Sequence, residues 1–523
     1  MVVDGKKVAY GQLNKMDRLS DLPDCIIHLI ISFLGTQEAC RTTILSKRWA
    51  NIWSTGLILD FDPHFFVCYR EFGEEFVNFN NFIESTMQRY SEKNLSIRML
   101  RLEYPYIDRE MTGRIDGWVG IALQNQVESL SLSFLSVDPP PYALPAILFL
   151  AKSLISLTCS RVRVPYFENM KLFSLRILKL TNLNIDDHML HDIIMSCPLK
   201  TLELNDCSGL KNISIPCCSR LESLSVTENE IEIFEPISGG ILVDTSSLQR
   251  FTYRGYGVCW PVCLRPASKK NLKELRISDV YIESDTFGKL VSELPSIENI
   301  RLFKCTMQKS IRIASQKLKE LSIGGCYNLF SITMEAPELY TFCYEGDCRL
   351  SSVINSHNNY NGYFHLAVYK LDTRAFLVIK HLLLKSNCCK VLSIIVGDYD
   401  EDPEIEFDEG KLRNFSHGPL SDAIDVQELK LSLCRLCSVP EVSSRTALID
   451  GLLWCCRPDI LSVSVTLHSD NSVMKTFLQI LQKKVENWKH PLKRMEIEGT
   501  NCSSFLVSWN LEVRLKLYWE TVT

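Results

Sequence analysis

Three clusters in the sequence carry side chains able to hold a metal ion. His188 and His191 sit three apart on a helical pattern and so share a face. Cys434 and Cys437 form a C-x-x-C pair, with Cys455 and Cys456 downstream, in the manner of a zinc site. Asp398, Asp400, Asp402 and Glu409 occupy positions 1, 3, 5 and 12 of a calcium-loop pattern, with Ile405 at position 8. Each cluster falls short chemically. Two histidines leave a zinc ion two ligands short, and Cys434 already has a structural role, argued below. Position 6 of the acidic loop is Pro403, whose ring holds φ near about −65° where the sharp turn needs glycine. The acidic stretch therefore reads as a solvated insertion. No phosphate-binding loop and no Gly-x-Ser-x-Gly elbow occurs, and Gly255-Tyr256-Gly257 is far from a dinucleotide fingerprint. With no convergent catalytic set, the chain is expected to be non-enzymatic, with no cofactor and no metal.

Bulk composition narrows the class further. A chain of 523 residues with 46% hydrophobic and 23% charged side chains can bury a core, and it is long enough for several domains or one repeat array. Its net charge of −5 and the lack of a long basic run argue against nucleic-acid binding, which depends on neutralising phosphates. No apolar stretch approaches the roughly 18 residues of a membrane span. The strongest candidate, 143–157, contains Pro145 and Lys152. Residues 1–13 lack the apolar core of a secretory signal, and Val2 stands where N-myristoylation needs glycine. The expectation is a protein of the nucleus and/or cytoplasm whose 21 cysteines are reduced.

What does organise the chain is a recurrent phrase: apolar, two variable, apolar, one variable, apolar. It occurs at Val127, Leu130 and Leu132, at Leu175, Leu178 and Leu180, and at Leu199, Leu202 and Leu204. Further copies begin at Leu221, Leu272, Ile297, Leu318, Val426 and Leu492, with weaker ones near Ile97, Leu154, Leu248, Leu339, Tyr363, Cys389 and Ile460. Central copies start about 21 to 27 residues apart, inside the window of leucine-rich repeats. The last two apolar positions share one face of a short strand. One strand cannot bury that face alone, so stacking in parallel predicts an α/β leucine-rich-repeat solenoid with a parallel inner sheet. Three positions after the last apolar residue, such repeats carry Asn or Cys. Cys207, Cys305, Cys326, Cys434 and Asn229 fill that slot, which makes them structural residues bridging successive loops.

Before about Phe61 the spacing is helical instead. Asp21 stands at an N-cap position and Pro23 in a first turn, followed by Leu22, Ile26, Ile27, Ile30, Ile31 and Leu34 at helical intervals. Gly35 ends that helix, Thr36 can cap a second, and Ser46 a third bearing Trp49, Ile52 and Trp53. Three helices in so few residues make a small core, and the first is apolar on more than one side, so a partner protein is expected to cover part of it. The Leu22-Pro23 element, the run Ile30 to Leu34, the Leu45-Ser46-Lys47-Arg48-Trp49 element and Leu59-Asp60-Phe61-Asp62 resemble a plant F-box. An F-box followed by leucine-rich repeats is a known family architecture.

The resemblance implies a substrate-recognition subunit of an SCF-type ubiquitin ligase. In that family the F-box binds a Skp-family adaptor, and through it a cullin and a RING subunit. Carried over by motif, the adaptor-facing candidates are Leu22, Pro23, Ile26, Ile30 and Leu34, with Leu45 and Trp49 assisting. Internal core is the alternative for Trp49 and Trp53, and is favoured for Trp53. The other functional reading is a non-degradative repeat scaffold. The domain plan is an N-terminal tail 1–16, F-box 17–62, linker helices 63–96, and repeats 97–457 with the acidic insertion at 398–410. Residues 458–523 are expected to hold terminal repeats and a cap, with a faint FBD resemblance around His490 to Gly499.

The variable residue between the last two apolar positions points away from the core, toward a target protein of unknown identity. This selects Arg101, Ser131, Lys179, Glu203, Ser225, Thr252, Arg276, Arg301, Ser322, Lys430 and Glu496. Lys179, Glu203, Arg276 and Arg301 are the candidate target-binding residues. Arg276 and Arg301, about 5 Å apart on adjacent strands, are expected to form a basic spot for an acidic or phosphorylated segment.

Overall fold

The structure is a computed structural model that describes residues 19, 22–34, 36–54, 58–63, 74–104, 109–134, 141–166, 170–217, 219–228, 240–307, 309–326, 328–345, 352–355, 361–368, 370–384, 388–396, 404–408, 410, 423–433, 442–467, 472–486, 492–505 and 508–519. The chain divides into two compact units, Met1–Gly209 and Leu210–Thr523.

The first unit opens with three short helices, α1 (Asp24–Ser32), α2 (Thr36–Arg41) and α3 (Lys47–Ser54), with a 3₁₀ turn Thr42–Ile44 before α3. Pro23 takes the N-cap position of α1 without a side-chain cap; Asp21 and Gly35 lie outside the described residues. Ser46 does cap α3, its hydroxyl accepting from the Trp49 N–H at 3.3 Å. Ile27 and Ile31, one turn apart on α1, turn inward to meet Ala39, Trp49 and Ile52.

Strand β1 (Ile58–Phe61) follows, then α4 (Glu74–Glu92), β2 (Met99–Tyr104), α5 (Arg109–Gln124), β3 (Ser129–Phe134), β4 (Ser156–Ser160), β5 (Ile177–Thr181), α6 (Asp187–Ser196) and β6 (Thr201–Asn205). These six strands pair in chain order, all parallel, without a register slip. The sheet therefore starts at Ile58, not near 97. Leu59 and Phe61 face the core as the repeat strands do, but the segment lacks the first apolar residue of the phrase, which hides it from the periodicity. Helix α4 is the first crossover of this sheet. Phe82 and Phe79 of α4 meet Phe61 and Tyr104, and Glu84 accepts from the Trp118 indole N–H of α5 at 2.7 Å.

In the second unit the same parallel pairing runs through Ser223–Thr227, Arg250–Cys259, Glu274–Tyr281, Asn299–Phe303, Glu320–Gly324, Thr341–Glu345, Asn361–Val368, Cys388–Val396, Ile424–Leu433 and Cys456–Leu467. Return segments alternate between helices, such as Ser284–Ser292 and Thr373–Leu384, and short strands that pair among themselves. Lys380 is buried and donates to the Trp454 carbonyl at 3.1 Å, near the C-terminus of helix Val442–Cys455. A cation at that end satisfies a carbonyl left without an intrahelical partner. The phrase at Leu492 is no parallel repeat. Leu492–Phe505 and Ser508–Trp519 form an antiparallel hairpin, with the second strand antiparallel to Cys456–Leu467.

In six copies the phrase ends in the same turn. Arg161, Asn182 and Asp206 in the first unit, and Asp279, Lys304 and Gly325 in the second, adopt positive φ between 49° and 61°. Each immediately precedes a slot residue: Val162, Leu183, Val280, Cys305 and Cys326 are buried, and Cys207 is half-buried. Cys207 donates to the carbonyls of Leu180 and Asn205 at 3.5 and 3.6 Å, and Cys305 to those of Ile277 and Phe303 at 3.4 and 3.5 Å. Each thiol thus ties its own turn to the preceding repeat. Burial pushes the Cys207 thiol up to about 12, so it stays a donor. Asn229 and Cys434 lie outside the described residues. Cys305→Ala is expected to destabilise the chain by about 1–2 kcal/mol through lost packing and the loss of the one S–H shared by two carbonyls, read as a lower denaturant midpoint.

Candidate functional site

The outer stripe of α1 is greasy and uncovered. Ile26, Leu29 and Phe33 are 39%, 52% and 80% exposed, and in the 3₁₀ turn and the residue after it Ile44 and Leu45 are 89% and 47% exposed. Positions 26, 29, 30 and 33 fall on one helical stripe, opposite the inward pair Ile27 and Ile31. Pro23 is exposed at the head of α1, while Leu22, Ile30 and Leu34 are half-buried and pack against the helical core.

Trp49 is a correction to the adaptor-facing set. It is 2% exposed, inside the core rather than on the offered surface, because α3 turns that side toward α1. Trp53, expected inside, is instead half-buried at the edge, where the Arg89 guanidinium of α4 lies 4.2 Å from the ring centroid. Arg48 of α3 donates to Asp24 of α1 through Nε at 2.9 Å.

The second candidate surface is the open face of the parallel sheets. In the first unit, strict register aligns Asp60, Arg101, Ser131, Thr158, Lys179 and Glu203. In the second it aligns Ser225, Thr252, Arg276, Arg301, Ser322, Cys343, His365, Ser393 and Lys430, with Ser462 next in the row but buried. Thr158, Cys343, His365, Ser393 and Ser462, all in weaker copies of the phrase, were not among the residues selected from the sequence. Glu496 leaves the set, since its strand runs antiparallel at the sheet end.

Arg276 and Arg301 are indeed partners in register, but they do not form a free basic spot. Arg276 is bound to Glu274 on its own strand, and Arg301 lies 4.0 Å from Glu320 on the next. Lys179 meets Glu203 at 3.0 Å across adjacent strands, and Arg101 reaches Glu103 at 3.2 Å and Asp60 at 3.6 Å. Burial raises the Asp60 carboxyl above the usual range, with Arg101 opposing. These charges largely neutralise one another, and exposed pairs of this kind contribute at most about 1 kcal/mol each. Exposed aromatics stand among them: Phe303, and Tyr340 against Tyr363 with centroids 5.2 Å apart.

His365 Nδ1 lies 2.9 Å from Ser393 Oγ, and burial pushes its imidazole below the usual value of 6.5, with Glu345 opposing. Below about pH 6.5 the unfolded chain takes up a proton that the folded imidazole refuses, so this contribution is present above that pH and lost as pH falls. The urea midpoint is expected to fall between pH 7 and pH 5, and to fall less in His365→Gln.

Of the three metal-like clusters the structure describes only parts. His188 and His191 are solvent-exposed on α6, and Cys455 and Cys456 are buried donors to the Phe376 and Leu452 carbonyls. Cys434, Cys437 and most of the acidic insertion lie outside the described residues, while Glu404–Ile405 pairs in parallel with Lys370–Leu371. Among the described residues no group of three or more His, Cys, Asp or Glu is placed to hold a metal ion, and no helix is long and apolar enough to cross a membrane.

Comparison with known proteins follows the same division. The F-box domain model matches residues 19–59. The model described as At1g61320/AtMIF1, LRR domain, matches 87–236 and 246–393, together more than half of the chain. The chain is an F-box/leucine-rich-repeat protein. Among curated relatives, F-box/FBD/LRR-repeat protein At5g56420 of Arabidopsis thaliana is 28% identical over 303 residues, 55% of this chain and 65% of that one. FBD-associated F-box protein At5g56380 of the same plant is 26% identical over 332 residues, 60% and 73% of the two chains. F-box/LRR-repeat protein 25, also from Arabidopsis thaliana, is 29% identical over 218 residues, 41% and 76%. The match thus spans just under two thirds of At5g56420. The F-box model ends within β1, so this F-box/leucine-rich-repeat protein uses one strand both to close its F-box match and to open its sheet.

Proposed function

We propose that this F-box/leucine-rich-repeat protein is the substrate-recognition subunit of an SCF-type ubiquitin ligase. Its F-box docks a Skp-family adaptor, which brings a cullin and a RING subunit, and the open sheet face holds a target protein. The chain itself supplies no chemistry. It raises the effective concentration of target lysines near a ubiquitin thioester carried by other subunits.

The observation that carries this reading is the uncovered stripe Ile26, Leu29 and Phe33 with Ile44 and Leu45, within the segment matched by the F-box model. Clustered large apolar side chains left in water favour a protein interface over a solvated surface. The test is reconstitution. The full chain co-expressed with a Skp-family adaptor should co-elute with it as a stoichiometric complex. Adding cullin, RING subunit, activating and conjugating enzymes should then transfer ubiquitin to a protein captured through the repeats. Failure to bind the adaptor would overturn the ligase reading; binding without transfer to any captured protein would reduce it to a non-degradative scaffold.

A further inference from the structure

A cavity of about 460 Å³ opens in the first unit, between the turn after β4 and the turn after β5. It lies among turns that follow the strands, apart from the α1 stripe. Its floor is aliphatic: Val162, Val164, Leu183, Ile185 and Met189 line it and are all buried. One wall carries Arg161 and Arg163; the other carries Asn182, Asn184 and Asp186.

Both walls are held in place by backbone hydrogen bonds. The Arg163 N–H donates to the Tyr142 carbonyl at 2.8 Å, and the Arg163 carbonyl accepts from Leu144 at 3.0 Å. Arg161 donates to Thr181 at 3.0 Å, Asn182 to Asn205 at 2.9 Å and Ile185 to Ser208 at 2.9 Å. Arg161 and Asn182 are the left-handed residues of their turns, so the two lips repeat one conformation one repeat apart. A cleft built this way is preformed, and its volume falls in the range of small-molecule sites, roughly 300–1,000 Å³.

Its charges are lopsided in use. The Asp186 carboxylate is committed to capping α6, accepting from the Met189 N–H at 2.8 Å. Arg163 is exposed at the mouth and has no acidic partner among the described residues. An apolar floor with an uncommitted guanidinium at the rim suits a ligand that is greasy at one end and anionic at the other.

We propose that this cleft binds a small amphipathic acid, an apolar body bearing one carboxylate, sulfonate or phosphate group, with the body on Val162, Leu183 and Met189 and the anion at Arg163. The site is independent of the adaptor-docking stripe and stands whether or not the ligase reading does.

Two fluorescent probes test it on the full chain: 8-anilinonaphthalene-1-sulfonate and the uncharged N-phenyl-1-naphthylamine, which shares the apolar body and lacks the anion. Arg163 and Asn184 are both exposed, so Arg163→Glu and Asn184→Trp should leave folding intact, checked by the thermal midpoint. Arg163→Glu is expected to weaken the sulfonate probe's saturable site by about tenfold or more while leaving the neutral probe within about twofold. Asn184→Trp, which plugs the mouth, is expected to remove that site for both probes. Binding of the sulfonate probe that survives both substitutions, or equal loss of both probes in Arg163→Glu, would overturn the proposal.

Discussion

Replacing Ile26 and Phe33 together by glutamate should cut the affinity for a Skp-family adaptor by about 100-fold or more, with the thermal midpoint of the free chain essentially unchanged. The two side chains lie on the uncovered stripe of α1, so neither substitution opens a cavity in the free protein. In a complex each would place a carboxylate in a desolvated apolar contact, where burying an unpaired charge is costly. Titration calorimetry against purified adaptor reads the effect. Trp49→Ala serves as contrast: it empties the helical core that Ile27, Ala39 and Ile52 build around the indole. The expected cost is about 3–5 kcal/mol, so adaptor binding is lost through unfolding of the helices rather than through the interface. Equal adaptor affinity in wild type and the double glutamate variant would remove the α1 stripe from the interface.

Gly451→Ala is expected to destabilise the second unit by about 1–3 kcal/mol, against what helix propensity alone predicts. Gly451 lies inside helix Val442–Cys455, where exchanging glycine for alanine in a solvated helix stabilises by roughly 0.5–1 kcal/mol. Here a Cβ would meet three ring atoms of Phe376 at 2.5 to 2.6 Å. Phe376 is fully buried on helix Thr373–Leu384 and also packs edge-on against Phe407, so the ring has little room to yield. The steric term outweighs propensity. Adding Phe376→Leu to Gly451→Ala should recover part of the loss, because the smaller side chain opens the space a methyl needs. Denaturant midpoints of the two variants, and hydrogen exchange of the two helices, check both halves. A more stable Gly451→Ala protein would mean that the two helices do not approach this closely.

Much of the fold was legible because its signals are local. The last two apolar residues of each phrase must share a strand face, whatever surrounds them, and Leu178 with Leu180, or Ile300 with Leu302, are buried accordingly. The cysteine slot was legible for the same reason, since its distance from the strand is set by one turn. Strand β1 was not, because Leu59 and Phe61 offer two alternating residues without the preceding apolar one. The phrase at Leu492 has the right letters yet runs backwards, because strand direction depends on the connection before it rather than on the strand's own residues.

The site readings divide along the same line. Periodicity showed the first helix to be apolar on more than one side, and strand spacing placed Arg276 beside Arg301; that Ile27 and Ile31 turn inward while Ile26 and Phe33 stay in water came only with the packing. Periodicity could not say which of Trp49 and Trp53 the third helix turns inward, since both lie on its apolar side and only the packing of α1 and α4 separates them. Nor could it say that Glu274 and Glu320 would claim the two arginines, or that the turns after β4 and β5 would leave a cleft between them. Repeat spacing and alternation are properties of neighbouring residues along a chain, so the amino acids alone dictate them. Which charge meets which, and which space stays open, depends on side chains brought together from different repeats, and that is decided only when the repeats stack.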